Sequence, residues 1–349
     1  MKKIMAFILC VLMLLPFGLM SAGAVSLSEG KAKLDRQFKN GTYSSSYDYI
    51  YYSPVKTEED DTTKYPLLIW LHGMNSGTFA RAQLQWYEFS NWASDEYQAR
   101  FANAGGCFLL APRAAGSSLN SWDGTMRSDL KKIIDSFIEK NADHIDTSRI
   151  YIAGYSTGGS MVWEMVTAYP AFFAAALPLA AITQPTTAGL NKLTDVSLWI
   201  FTSDNDPYII NETSDVMPNF EYLAQISNRS DCLRLTHFSD ARFADNTKKT
   251  ESNGSLANDA EHYIWEAVTY DMFMDDGVTP YVFATTIDST GSEIELNTPG
   301  IGVIDWLSRQ TNKKNENSEK LGFFAKIKLF FERLGKIFRE LFSGIRKGN

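Results

Sequence analysis

The chain has 349 residues, 44% of them hydrophobic, and three cysteines, so it can build one large apolar core and does not need a disulfide framework. A net charge of −8, with 41 acidic against 33 basic side chains, offers no general electrostatic hold on nucleic acid, and no nucleic-acid partner is expected.

Met1-Lys2-Lys3 precedes an apolar run from Ile4 to Leu15, and Ala22-Gly23-Ala24 follows. This is the pattern of a secretory signal peptide over 1–24, and it predicts a secreted protein with possible attachment to the cell surface. Pro16 and Gly18 interrupt the run, which argues against a permanent span, and no cysteine follows it to carry a lipid. Residues 25–310 read as one domain. Its two cysteines, Cys107 and Cys232, lie in strand-like contexts and are expected as separate buried thiols.

In chain order, Tyr47–Tyr52 reads as an aromatic strand, and Tyr65–Leu71 as a hydrophobic strand ending at His72-Gly73. Glu88–Ala102 reads as a peripheral helix, and Gly106–Ala111 as a buried strand closed by Pro112. Asp129–Asn141 carries Leu130, Ile133, Ile134, Phe137 and Ile138 on one helical face. Strands follow at Arg149–Ala153, Phe172–Leu179, Val196–Thr202 and Cys232–Phe238, the last expected to close the core. Helices are expected at Val216–Ser227, His262–Met274 and Gly302–Gln310. Alternation of apolar strands with helical periods predicts an α/β fold: a mostly parallel central sheet with helices on both faces and functional groups at the C-terminal strand edge. There is no P-loop, dinucleotide fingerprint or paired Cys-x-x-Cys, and four histidines are too scattered for a zinc site. No cofactor or metal is expected.

The strand ending at Ala153 runs into Gly154-Tyr155-Ser156-Thr157-Gly158, and a helix-like stretch, Met161–Tyr169, follows. Strand, G-x-S-x-G and helix form a nucleophile elbow, with glycines where the backbones crowd around the raised serine. A serine hydroxyl needs a base, and the base needs a carboxylate to orient it. Two histidines follow Ser156. His237 lies inside a strand-like run and reads as structural, whereas His262 sits at a loop-to-helix junction and reads as the base. Asp204 and Asp206 both lie just past the strand Val196–Thr202, and residue chemistry alone leaves the choice between them open. The Thr157 N–H and the Met74 N–H are the expected oxyanion donors, with His72 orienting the Met74 loop. Trp122, Tyr155 and Tyr208 are candidates for the substrate pocket.

Leu71-His72-Gly73, the elbow with Gly159, Ser203-Asp204-Asn205-Asp206-Pro207 and His262-Tyr263-Ile264-Trp265 together resemble the α/β-hydrolase fold. More narrowly they resemble the secreted polyhydroxybutyrate-depolymerase, feruloyl-esterase and predicted-peptidase group, over roughly residues 45–310. The resemblance implies that the aspartate just before proline, Asp206, is the triad acid, and that His262, followed by Trp265, is the base. Ala111-Pro112-Arg113 leading to Ser121-Trp122 looks like a cleft-lining segment of that group. The implied chemistry is ester hydrolysis through an acyl-enzyme on Ser156, acting on a small ester or on acyl or feruloyl groups of a polysaccharide. A serine peptidase acting on short peptides, or a surface binding protein that kept the fold, are the alternatives. Residues 277–300, rich in threonine and β-branched side chains, stand as an insert relative to the group and are expected as a hairpin near the active site.

Residues 311–319 are polar and read as a linker. From Lys320 to Asn349 there are eight Lys or Arg against two Glu, and Phe323, Phe324, Ile327, Phe330, Phe331, Leu334, Ile337 and Phe338 recur at helical spacing. A basic amphipathic helix over 320–349 is expected, able to lie on an anionic membrane surface, pair with a partner or pack on the body.

Overall fold

A computed structural model describes residues 27–44, 47–55, 62–74, 79–101, 104–114, 121–209, 212–274, 279–296 and 301–312. The signal-peptide reading of 1–24, the linker beyond Asn312 and the tail 320–349 lie outside the described residues.

The core is a nine-stranded sheet. Its strands are β1 (Lys39–Ser44), β2 (Tyr47–Tyr52), β3 (Tyr65–Leu71), β4 (Phe108–Pro112), β5 (Ile145–Tyr155), β6 (Ala175–Leu179), β7 (Ser197–Ser203), β8 (Leu233–Phe238) and β9 (Ala284–Asp288). Their spatial order is β1-β2-β4-β3-β5-β6-β7-β8-β9. The six strands from β4 to β8 in that order run parallel, while β2 joins β4, and β9 joins β8, antiparallel. Every residue of β3, β4, β6 and β7 is buried, as a parallel sheet covered on both faces requires. Crossover helices Arg127–Lys140, Thr157–Ala168 and Glu212–Ile226 supply that cover. The first uses the predicted face, burying Leu130, Ile133, Ile134 and Phe137.

Three expectations are corrected. Glu88–Ala102 is not one helix but a 3-10 segment, Glu88–Ala93, and a short helix, Asp95–Ala99. The chain turns at Ser94, which caps the second piece, while Phe89 and Trp92 are drawn fully into the core. His262–Met274 likewise reduces to a 3-10 turn, Ala260–His262, and a five-residue helix, Trp265–Thr269. Asp271 and Met272 end it with φ of 59° and 68°. Finally, β8 is not the last strand. The region read as an insert adds β9 to the sheet edge, with Ala284 opposite Phe238 and Asp288 opposite Arg234. The turn after β9, built on Asp288 accepting from the Thr290 and Ser292 N–H groups, therefore lies at the N-terminal end of β8. That turn is at the edge away from Ser156, whereas Ala284, where β9 begins, lies opposite the end of β8 at the catalytic edge.

Cys107 and Cys232 are separate buried thiols with no disulfide between them.

Candidate active site

Ser156 ends the central strand β5 and opens the helix Thr157–Ala168. Its φ of 58° and ψ of −118° are those of a strained turn that a non-glycine residue adopts only when its surroundings enforce them. Here they do. A Cβ on Gly154 would fall 2.5 Å from the Gly158 carbonyl oxygen, and one on Gly158 would fall 2.2 Å from that of Leu71. The two glycines let β5, the helix and the end of β3 close around the serine. The Ser156 N–H donates to Leu179 O at 2.9 Å, which ties the elbow to β6.

The loop after β7 and the turn Ala260–His262 bring the remaining groups to this edge. Ser156 Oγ lies 2.9 Å from His262 Nε2, and Asp206 Oδ2 accepts from His262 Nδ1 at 2.5 Å. The second oxygen of Asp206 accepts the Tyr208 N–H at 2.9 Å, and the carboxylate is fully enclosed. Asp206 therefore fixes the tautomer in which Nε2 is free to take the serine proton. Asp204, the other aspartate of the loop, instead meets His237 Nδ1 at 3.2 Å in an exposed pair.

His262 is held from outside by two consecutive lysines that sequence reasoning did not single out. Lys249 contacts both oxygens of Asp259 at 2.8 Å and hydrogen-bonds Tyr263. Lys248 bridges Glu261, at 2.6 Å, to Asp240. Asp259 and Glu261 immediately precede the histidine in sequence, but only the folded loop 239–250 brings the lysines to them.

Of the expected oxyanion donors, one directly follows the serine and the other lies past the end of β3, the strand paired with β5. Thr157 is the first residue of the elbow helix, and its N–H meets no acceptor among the described residues. Met74 follows Gly73 at the end of the β3 loop. Beside it, His72 is fully buried, donates from Nδ1 to Gly73 O at 2.5 Å and accepts the Ala114 N–H at Nε2 at 3.0 Å. Acceptance at Nε2 requires the neutral ring, and burial lowers its pKa from 6.5 to about 4. His72 is thus a loop-orienting residue.

Of the three residues expected to line a pocket, Tyr208 alone is exposed, with its ring 4.8 Å from that of His262. Trp122 is buried against His72, at 5.4 Å between rings. Tyr155 is buried between His262 and Trp265, at 4.9 and 4.7 Å. Both back the site as packing. Among the described residues no group of three or more His, Cys, Asp or Glu is placed to hold a metal ion.

A strained serine at the C-terminal end of a central parallel strand, with the acid after β7 and the base after β8, decides the architecture. The chain has the α/β-hydrolase fold. Residues 118–238 match the sequence model of the prolyl oligopeptidase family, a stretch that holds Ser156 and Asp206 and stops short of His262. Over 133 residues the chain is 25% identical to dipeptidyl-peptidase 5 of Aspergillus fumigatus, which covers 38% of this chain and 18% of that protein. The chain thus spans less than a fifth of the length of this curated relative. Solved structures similar to it include a thermostable esterase, at 26% identity and a TM-score of 0.46, covering 55% of this chain and 52% of the other. A ferulic acid esterase is similar at 17% identity and a TM-score of 0.40, covering 54% and 86%. The constellation at this site is that of a serine hydrolase.

Proposed function

We propose that the protein is a carboxylic ester hydrolase working through an acyl-enzyme on Ser156. The observation that carries this reading is the continuous line Ser156–His262–Asp206, at 2.9 and 2.5 Å. His262 takes the proton from Ser156 Oγ as the oxygen attacks the ester carbonyl. The Thr157 and Met74 N–H groups receive the oxyanion, and His262 returns the proton to the departing alcohol. Water, deprotonated by the same imidazole, then releases the acid and restores the serine. Asp206 stays ionised and stabilises the imidazolium.

Exposed, uncharged Met74, Ile182 and Tyr208 follow β3, β6 and β7 at the edge that carries Ser156. They support a neutral acyl or aromatic acyl group, on a small ester or a polysaccharide, as the substrate part at this mouth. The reading also takes residues 1–24 as a leader and the protein as secreted, testable by sequencing the N-terminus of exported protein.

A peptidase is the second reading, favoured by the match of residues 118–238. A panel of acetyl, butyryl and feruloyl esters set beside aminoacyl and dipeptidyl amides separates the two, and selective turnover of the amides would reject the esterase. Ser156→Ala should lower kcat/KM on short aryl esters by at least about a thousandfold without loss of fold. A fluorophosphonate should label Ser156 in the unaltered chain. Folded protein that neither labels nor turns over would instead indicate a binding protein.

A further inference from the structure

We infer that Tyr87 is a positioning residue for the oxyanion peptide, an inference that rests on the proposed role of the Met74 N–H. The carbonyl of Gly73 and the N–H of Met74 belong to one planar peptide unit and point in opposite directions. Whatever fixes the Gly73 carbonyl therefore aims the Met74 N–H. His72 Nδ1 holds that carbonyl at 2.5 Å, and the Gly73 N–H donates to Tyr87 Oη at 2.9 Å. Both polar backbone atoms of Gly73 are thus held, one by each side chain, and the two torsions that would let the Met74 peptide swing are restrained.

The hydroxyl of Tyr87 is itself held in place. Its ring is buried, 5.7 Å from Trp70, 5.4 Å from Trp265 and 6.0 Å from Tyr155. Tyr155 in turn packs on the ring of His262 at 4.9 Å. The aromatic group that backs the base therefore also carries the hydroxyl that anchors the oxyanion strand, so donor and base share one rigid support. Gly73 leaves room for that hydroxyl: a Cβ there would lie 2.9 Å from Tyr87 Oη and 3.0 Å from Tyr155 Cδ1, so a side chain would push on both rings. An oxyanion donor held in advance does not have to reorganise as charge develops, so the benefit falls on the transition state and not on substrate binding.

The test uses Tyr87→Phe in the full-length protein, which keeps the ring and removes only the hydroxyl. With 4-nitrophenyl butyrate, kcat should fall about 10- to 100-fold while KM stays within about twofold. Affinity for an aryl trifluoromethyl ketone, which forms a tetrahedral adduct on the serine, should fall by the same factor as kcat/KM. A mere loss of packing would not link those two quantities. Gly73→Ala, which pushes on the same hydroxyl without deleting it, should give the same kcat-selective loss. Wild-type kcat in either variant, or a raised KM with kcat intact, overturns the role of Tyr87. A wild-type chain that fails both to label and to hydrolyse overturns the hydrolase reading together with it, whereas a reactive wild type with an unaltered Y87F overturns this inference alone.

Discussion

At the scale of single residues, the site depends on groups kept in states they would not hold in water. Ser156 keeps a positive φ because Gly154 and Gly158 leave room for the turn to close. His72 stays neutral because burial opposes its charged form. The unfolded chain takes up a proton near pH 6.5 that the folded chain refuses until about pH 4. Stability from this residue is therefore complete above 6.5 and lost as the pH falls from there toward 4. The whole span corresponds to about 3 kcal/mol. Urea unfolding between pH 7 and pH 4 should show this decline, and His72→Asn should remove its share of the slope. An identical slope in the variant would mean that another group carries the effect. The two aspartates after β7 show what sequence leaves open at this scale. Asp204 and Asp206 are two residues apart at the end of one strand, and only the path of the loop sends one to His262 and the other to His237.

At the scale of elements, long periodic segments were legible and short ones were not. The helix Arg127–Lys140 and the strands β3, β4, β7 and β8 lie within about two residues of their expected bounds, because each carries enough apolar repeats to declare its period. The segment after His262 is shorter than its apolar pattern predicts because its helix is stopped by a tertiary contact. Asp271 is buried, binds Arg100 and accepts the Ile304 N–H at 2.9 Å, which bends the chain at positive φ. Arg100 also binds Asp305 at 2.5 Å, so one guanidinium joins three distant segments. Burial already pushes the Asp271 carboxyl up. Arg100→Met would leave that carboxylate without its cation and should destabilise the protein by about 3 kcal/mol. Chemical denaturation checks this, and a loss below about 1 kcal/mol would show that the network is not what holds the turn.

At the scale of the whole molecule, the described chain ends away from the catalytic edge. The Asn312 N–H donates to Ser148 O at 2.7 Å, near the start of β5, and the Tyr151 hydroxyl donates to Gln310 O. Asn312, the last described residue, thus lies on the side of the sheet opposite Ser156. If 320–349 binds an anionic surface, a chain ending at Asn312 should lose binding to phosphatidylglycerol vesicles while keeping its ester turnover. Equal vesicle binding by the two chains would reject the membrane proposal. Asn312 is the place to cut, because Gln310 and Asn312 are buried and bonded to the sheet.

By itself the sequence determined the class of fold, the raised serine and the order in which acid and base follow it. These are local properties: apolar period, glycines beside a serine, and histidine and aspartate at the ends of apolar runs. The tertiary structure alone decided that the residues read as an insert near the active site pair with β8 as β9, and that Trp122 and Tyr155 pack behind the site. It also decided that Tyr87 and His72 grip the two sides of Gly73. Those outcomes depend on which surfaces meet, and residues far apart in the chain meet only once a common core has formed around them.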